Sequence, residues 1–250
     1  MKRILSHCIL AGACLAGCSS QDQATEADYD DVAQALTAVV STGSGGGEVG
    51  AMSDSVSIAL GAGDLTIQAS AEGKFKSSHL GLEYDYAISC KDSAGVQLPK
   101  CGSTTDAAGV NVKWSGDLGL PNVTASVARE GSWQLTQLQS AVAQLDGDSD
   151  FELDVKVQSL FRNLTRSYHV GYSASYADVA LNRVARRIEG GKITYSIDAE
   201  RKASGPRRES EAEFSMDGEL VFAADGSATL TLDKSFKYAI DTASGVMVKQ

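Results

Sequence analysis

The sequence predicts a mainly β domain: a large antiparallel meander sheet, curved into a half-barrel or barrel-like form, with one N-terminal α-helix. Three observations carry this expectation. Apolar and polar residues alternate with period two over most of the chain after residue 47. Glycine-containing turn pairs punctuate the alternating runs. Only one early stretch, residues 26–40, has helical spacing instead.

The helix comes first. Tyr29, Val32, Ala33, Leu36, Val39 and Val40 recur at helical intervals. Glu26, Asp28, Asp30 and Asp31 crowd its start, where the helix dipole favours negative charge. Thr25 is placed to cap it. The run Ser41-Thr42-Gly43-Ser44-Gly45-Gly46-Gly47 ends the helix and reads as a flexible joint, and the segment beyond it reads as a strand.

The strands follow. Phe151, Leu153, Val155 and Val157 alternate with charged or polar neighbours, as do Ile193, Tyr195, Ile197 and Ala199. Phe214, Met216, Leu220 and Phe222 share one parity. Shorter runs sit at Tyr84 to Ile88, Val110 to Trp114, Val123 to Val127 and Phe236 to Ile240. Such patterns describe strands with one buried and one wet face. The segment from Trp133 to Leu145 fits either period and is read as strand, because its flanks form a meander. Asp146-Gly147, Gly190-Gly191, Asp225-Gly226 and Ser244-Gly245 read as turns. A sheet of this size hides its apolar face by closing, by packing as a sandwich, or by curving around the N-terminal helix. The third arrangement resembles, at the level of fold, the half-barrel lipoprotein carriers of periplasmic and mycobacterial envelopes.

The first residues are of another kind. Met1-Lys2-Arg3 is a short positive start, and Ile4 to Ala16 is mostly apolar. That run is too short to span a bilayer and has the length of a secretory signal core. It ends Leu15-Ala16-Gly17-Cys18. These four residues resemble the lipobox of bacterial lipoprotein precursors, a resemblance that covers residues 1 to about 20. It implies cleavage before Cys18, a diacylglyceryl group on the Cys18 thiol and a further acyl chain on the freed amine. Each buried methylene contributes about 0.8 kcal/mol, so two or three chains hold firmly where one does not. Ser19 leans toward the outer membrane of a Gram-negative envelope. The expected organisation is residues 1–17 as signal, 18–25 as lipidated Cys and tether, and 26–250 as one β-rich domain.

Composition narrows the partners. The net charge is −10, and loss of Lys2 and Arg3 makes the mature chain more negative still. That balance argues against nucleic acid and against adhesion to anionic headgroups. The expected partners are the membrane, through Cys18, and other envelope proteins or a lipid-like ligand; no cofactor is implied. Of five Cys, Cys8 and Cys14 leave with the signal and Cys18 is acylated. Cys90 and Cys101 remain, and a disulfide between them is expected in an oxidising compartment; the alternative is a thiol or metal site, without CxxC spacing.

Several groups qualify as candidate sites. Asp146, Asp148, Asp150 and Asp154 have the DxDxD spacing of a calcium loop, but Phe151 and Val157 stand where an EF-hand needs Gly and Glu, so a solvated hairpin turn competes. Tyr168, Tyr172 and Tyr176 share one strand face and suit either an amphiphile or sugar site or a packed core. Gly45, Gly47 and Gly50 match GxGxxG without a preceding strand. Arg183, Arg186, Arg187, Arg201, Lys202, Arg207 and Arg208 form the one basic region, suited to phosphate-bearing lipids or an acidic partner, or to guarding a sheet edge. His79 and His169 are the histidines of the mature chain, which lacks HExxH, GxSxG and P-loop motifs. The expected role is that of a structural or interaction lipoprotein. A carrier holding a hydrophobic or amphiphilic ligand under the helix is the alternative, and a carboxylate-based hydrolase is more distant.

Overall fold

The computed structural model describes residues 23–41, 47–61, 67–71, 73–79, 81–120, 123–159, 164–205 and 208–250. The expected signal, Cys18 and residues 42–46 of the joint lie outside these.

Strong alternation makes strands. They are β1 (Ile67–Ala71), β2 (Lys74–His79), β3 (Leu82–Lys91), β4 (Ala107–Leu120), β5 (Val123–Thr136) and β6 (Val142–Ser159). They continue as β7 (Leu164–Asn182), β8 (Arg187–Gly205), β9 (Arg208–Phe222), β10 (Ser227–Leu232), β11 (Phe236–Asp241) and β12 (Val246–Lys249). All twelve form one antiparallel sheet in chain order, a pure meander that does not close. The apolar parity of each run faces inward: Tyr84, Tyr86 and Ile88 on β3, Ile193, Tyr195 and Ile197 on β8, Phe214 and Met216 on β9. The 134–145 segment is strand at both ends, with a turn between β5 and β6.

Among the described residues two helices, not one, lie against the inner face. The expected helix is α1 (Glu26–Val40). Thr25 caps it with the bonding reversed: its N–H and hydroxyl donate to the Asp28 carboxylate at 2.8 and 2.7 Å. The segment after the glycines is α2 (Gly47–Ala59), where a strand was expected. Its sequence, rich in Ser, Gly and Val, carries little helix propensity. It is also buried on nearly every side, so no polar stripe marks a helical period. Likewise, Ala35 through Val40 of α1 are all buried. The helices therefore occupy the interior of the curved sheet, and Val32, Leu36, Val49, Met52 and Ile58 join one continuous core with the strands. No described helix is long and apolar enough to cross a membrane.

Two expected turns are bulges. Asp146-Gly147 lies inside β6, at a register shift against β7 between Leu145 and Gly147. Gly190-Gly191 lies inside β8, opposite a shift between Ala177 and Ala180. Gly191 has φ +90°, and a Cβ there would stand 2.3 Å from the Asp178 carbonyl oxygen. Glycine permits this close approach, which lets the strand bend and continue. The turns themselves fall nearby, at 137–141 and 183–186, while Asp225-Gly226 and Ser244-Gly245 turn as expected.

The long join between β3 and β4 is closed by a disulfide, Cys90–Cys101, with Cα atoms 5.3 Å apart. Cys90 lies next to the last residue of β3 and beside α2, its Sγ 3.9 Å from the Ala59 carbonyl oxygen.

Candidate functional site

A constellation of charge lies in the interior. On β5 the inward parity runs Val127, Arg129, Gly131, Trp133 and Leu135, so a guanidinium enters a row of apolar positions. Glu48, the second residue of α2, descends onto it, and Arg129 Nη2 and Glu48 Oε1 are 2.7 Å apart. Both side chains are 1% exposed. Ser149 of β6 accepts from Arg129 at 3.0 Å, and its Oγ lies 2.9 Å from the Tyr176 hydroxyl. Tyr176 also donates to Glu48 and accepts from Arg129.

Room for this cluster comes from small residues. Gly131, Ser149 and Ala174 stand side by side across β5, β6 and β7, leaving a hollow beneath α2. Aromatic rings wall it: Arg129 Cζ is 5.2 Å from the Trp133 ring centroid, 5.6 Å from Tyr176 and 5.9 Å from Trp114. Cation–π attraction offsets part of the cost of burying the guanidinium. Burial pushes the Glu48 carboxyl above the ordinary glutamate range, with Arg129 opposing the shift. Several buried polar atoms here have no partner among the described residues: Glu48 Oε2, Arg129 Nε and Nη1, the indole nitrogens of Trp114 and Trp133, and the Tyr195 hydroxyl.

The tyrosine row is brought to the same interior, and the Tyr168 and Tyr176 hydroxyls bond the helices. Tyr168 bonds Asp31 at 2.5 Å and Asp28 at 3.2 Å of α1. Tyr172 stacks on Phe151 with centroids 4.4 Å apart and meets Tyr195 edge-on at 5.3 Å. Tyr176 reaches Glu48 of α2. All three are buried.

A second set of ion pairs fastens the start of α1. Arg201 of β8 donates to Asp28 at 2.6 Å, and Arg166 of β7 to Asp31 at 2.9 Å. Lys249 of β12 reaches Glu26 at 2.6 Å and Asp30 at 2.9 Å. Tyr29 bonds Asp233 at 2.5 Å and stacks on Phe236. Burial raises the Asp28 carboxyl, but bonds from Thr25 and Arg201 outweigh it and hold the group below its ordinary value.

No family model, curated protein or solved structure matches this chain.

The other candidates lie apart from this interior. Asp146, Asp148, Asp150 and Asp154 are exposed along β6, on a strand and not in a loop. Residues two apart on a strand face stand roughly 7 Å from one another, so the carboxylates do not converge on one ion. Asp146 instead accepts the Asp178 N–H at 2.8 Å, and Asp154 pairs with His169 Nδ1 at 2.9 Å. Among the described residues no group of three or more His, Cys, Asp or Glu side chains gathers to hold a metal. Between β6 and β9 the outer face carries a shallow groove of about 340 Å³, lined by Asp148, Asp150, Ser173, Ser175, Thr194 and Asp217, among others.

The basic region does not form a single patch. Its two segments lie at opposite ends of β8. Arg186 pairs with Asp54 of α2, Arg187 with Glu189, Arg201 with Asp28, and Lys202 with Glu200 and Glu211. Arg207 lies outside the described residues, as does the Arg208 side chain.

The residues that sequence reasoning missed are Glu48 and Arg129. Glu48 sits in a Gly/Ser-rich segment without a helical signature. Arg129 carried a legible signal: it shares the parity of Val127, Trp133 and Leu135, and a charge on a buried parity calls for a buried partner.

Proposed function

We propose that the chain is a lipid-anchored envelope protein, held at the outer membrane by acylated Cys18, that acts non-enzymatically by offering its surface to other envelope components. One observation carries this reading: the inner face of the sheet is covered by the chain's own helices, whose buried residues join the strands in one core. What such a body offers to others is its exterior. The charged outer face of β6 to β9 and the turns at the two sheet ends are the surfaces available.

A Cys18→Ala variant tests the anchor. It is expected to leave the membrane fraction, and its retention there under high salt would overturn the assignment. Native mass spectrometry of the delipidated protein from its host tests the role, and a stoichiometric protein partner is the expected result.

A second reading, a carrier of an amphiphilic ligand, draws on the unpartnered polar atoms around Glu48 and Arg129. Buried donors and acceptors without partners are costly and commonly satisfied by water or a bound molecule. A co-purifying lipid in the same spectrum favours this reading over the first.

A further inference from the structure

Half of each partner in the central ion pair is left over. Glu48 Oε1 and Arg129 Nη2 bond each other, and both reach Tyr176. The remaining atoms of the same side chains, Glu48 Oε2 and Arg129 Nε and Nη1, have no partner among the described residues. Neither has the Tyr195 hydroxyl. Glu48 is 1% exposed, and Arg129 and Tyr195 are 3% exposed. A polar group left bare in a dry interior is costly, and a charged one more so.

Strand register gathers these atoms. Gly131, Ser149, Ala174 and Tyr195 stand directly opposite one another across β5, β6, β7 and β8. The three small residues give the hollow beneath α2, and Tyr195 stands at its β8 side. Arg129 enters from β5 and donates to Ser149, the residue opposite Gly131, so its guanidinium is drawn over the missing side chain. The Tyr195 ring is held edge-on against Tyr172, with centroids 5.3 Å apart. Burial, and then the Glu48 carboxylate, push its phenol well above the ordinary tyrosine value, so the hydroxyl feels that charge.

The chemistry of the hollow selects its occupant. Arg129 offers N–H donors only, Glu48 Oε2 accepts only, and the Tyr195 hydroxyl does either. A cation would meet the guanidinium and an anion the carboxylate, and each would add net charge to a neutral pair inside the core. An apolar molecule would leave all of these atoms bare. Water is uncharged, donates and accepts, and when buried makes about three hydrogen bonds.

From the unpartnered buried atoms, the register that gathers them and the balance of donors and acceptors, we infer that ordered water is bound in this hollow, bridging Glu48 Oε2 to the Tyr195 hydroxyl and to the remaining N–H groups of Arg129. The second helix is then joined to β8 as well as to β5, through solvent held inside the core. This site does not depend on acylation of Cys18. It differs from the carrier reading in its guest, which is water and not an amphiphile.

The test is diffraction from crystals of the chain purified from its host, native and Tyr195→Phe, at a resolution that shows ordered solvent. The native chain is expected to show water within hydrogen-bond distance of Glu48 Oε2 and of Tyr195 or Arg129. Tyr195→Phe keeps the ring and its packing, and is expected to lose that water or cut its occupancy severalfold. In solution, the oxygen-17 relaxation dispersion of the variant should lose amplitude to match. Native side chains that bond one another directly, with no solvent between them, overturn the inference. Equal dispersion amplitudes in the two proteins overturn the bridge to Tyr195. Density for an acyl chain in the hollow overturns the water site and favours the carrier instead.

Discussion

Glu48 of α2 and Arg129 of β5 meet at 2.7 Å in the interior, each 1% exposed, and form the polar link between the second helix and the sheet centre. Breaking such a pair from one side leaves a buried charge uncompensated. Arg129→Met, which strands the buried Glu48 carboxylate, is therefore expected to destabilise the fold by about 3–5 kcal/mol in urea unfolding. Replacing both partners, as in Glu48→Gln with Arg129→Met, removes the stranded charge and should recover much of the loss. A double variant as unstable as the sum of the singles would show the two residues to be independent.

Two buried carboxyls respond to acid in opposite senses. Glu48 is held above its ordinary value by burial, so its ionised form weakens the fold. That penalty is relieved as pH falls through its folded value toward 4.5. Asp28 is held below 3.8, chiefly by Thr25 and Arg201 acting against burial, so its contribution is present above 3.8 and lost as pH falls through the lower folded value. Denaturation midpoints measured across acid pH should show Glu48→Gln lacking the gain and Asp28→Asn lacking the later loss. Identical profiles for Asp28→Asn and the native chain would remove Arg201 from the account.

The Cys90–Cys101 link spans 11 positions in sequence. Closing a loop of that size is worth about 3 kcal/mol in the chain-entropy model. Cys90→Ser with Cys101→Ser is expected to lower unfolding stability by about that amount. Amide exchange should rise first at the end of α2, because Cys90 lies against Ala59.

Neighbouring glycines on β8 provide an internal control. Gly191→Ala forces a side chain into φ +90° and against the Asp178 carbonyl, whereas a Cβ at Gly190 meets only the Ala180 Cβ, at 3.7 Å. The first change should cost on the order of 2 kcal/mol and the second little, as read by thermal unfolding. Equal effects would mean that the bulge relaxes freely.

The sheet was legible because each strand has one dry and one wet face, as in the alternation around Phe151, Tyr195 and Phe214. The Thr25 start of α1 was legible for a similar local reason. What escaped had no local contrast. α2 is buried all round, so burial erased the period that would have marked it. Gly147 and Gly191 resemble turn glycines because a bulge and a turn both require an unusual backbone, and only register tells them apart. The central ion pair depended on a contact between α2 and β5 that no spacing within either segment encodes.

The first helix is seated in part on β11 and β12, which emerge long after it. Glu26 and Asp30 bond Lys249, Asp30 bonds Tyr238, and Thr37 lies 3.5 Å from the Met247 sulfur. A chain emerging residue by residue can zip its meander hairpin by hairpin as each strand arrives. Its opening helix lacks these contacts until β11 and β12 have emerged. A copy that stops before β11 would leave that part of the helix uncovered, a mark by which quality-control proteases distinguish finished from unfinished chains.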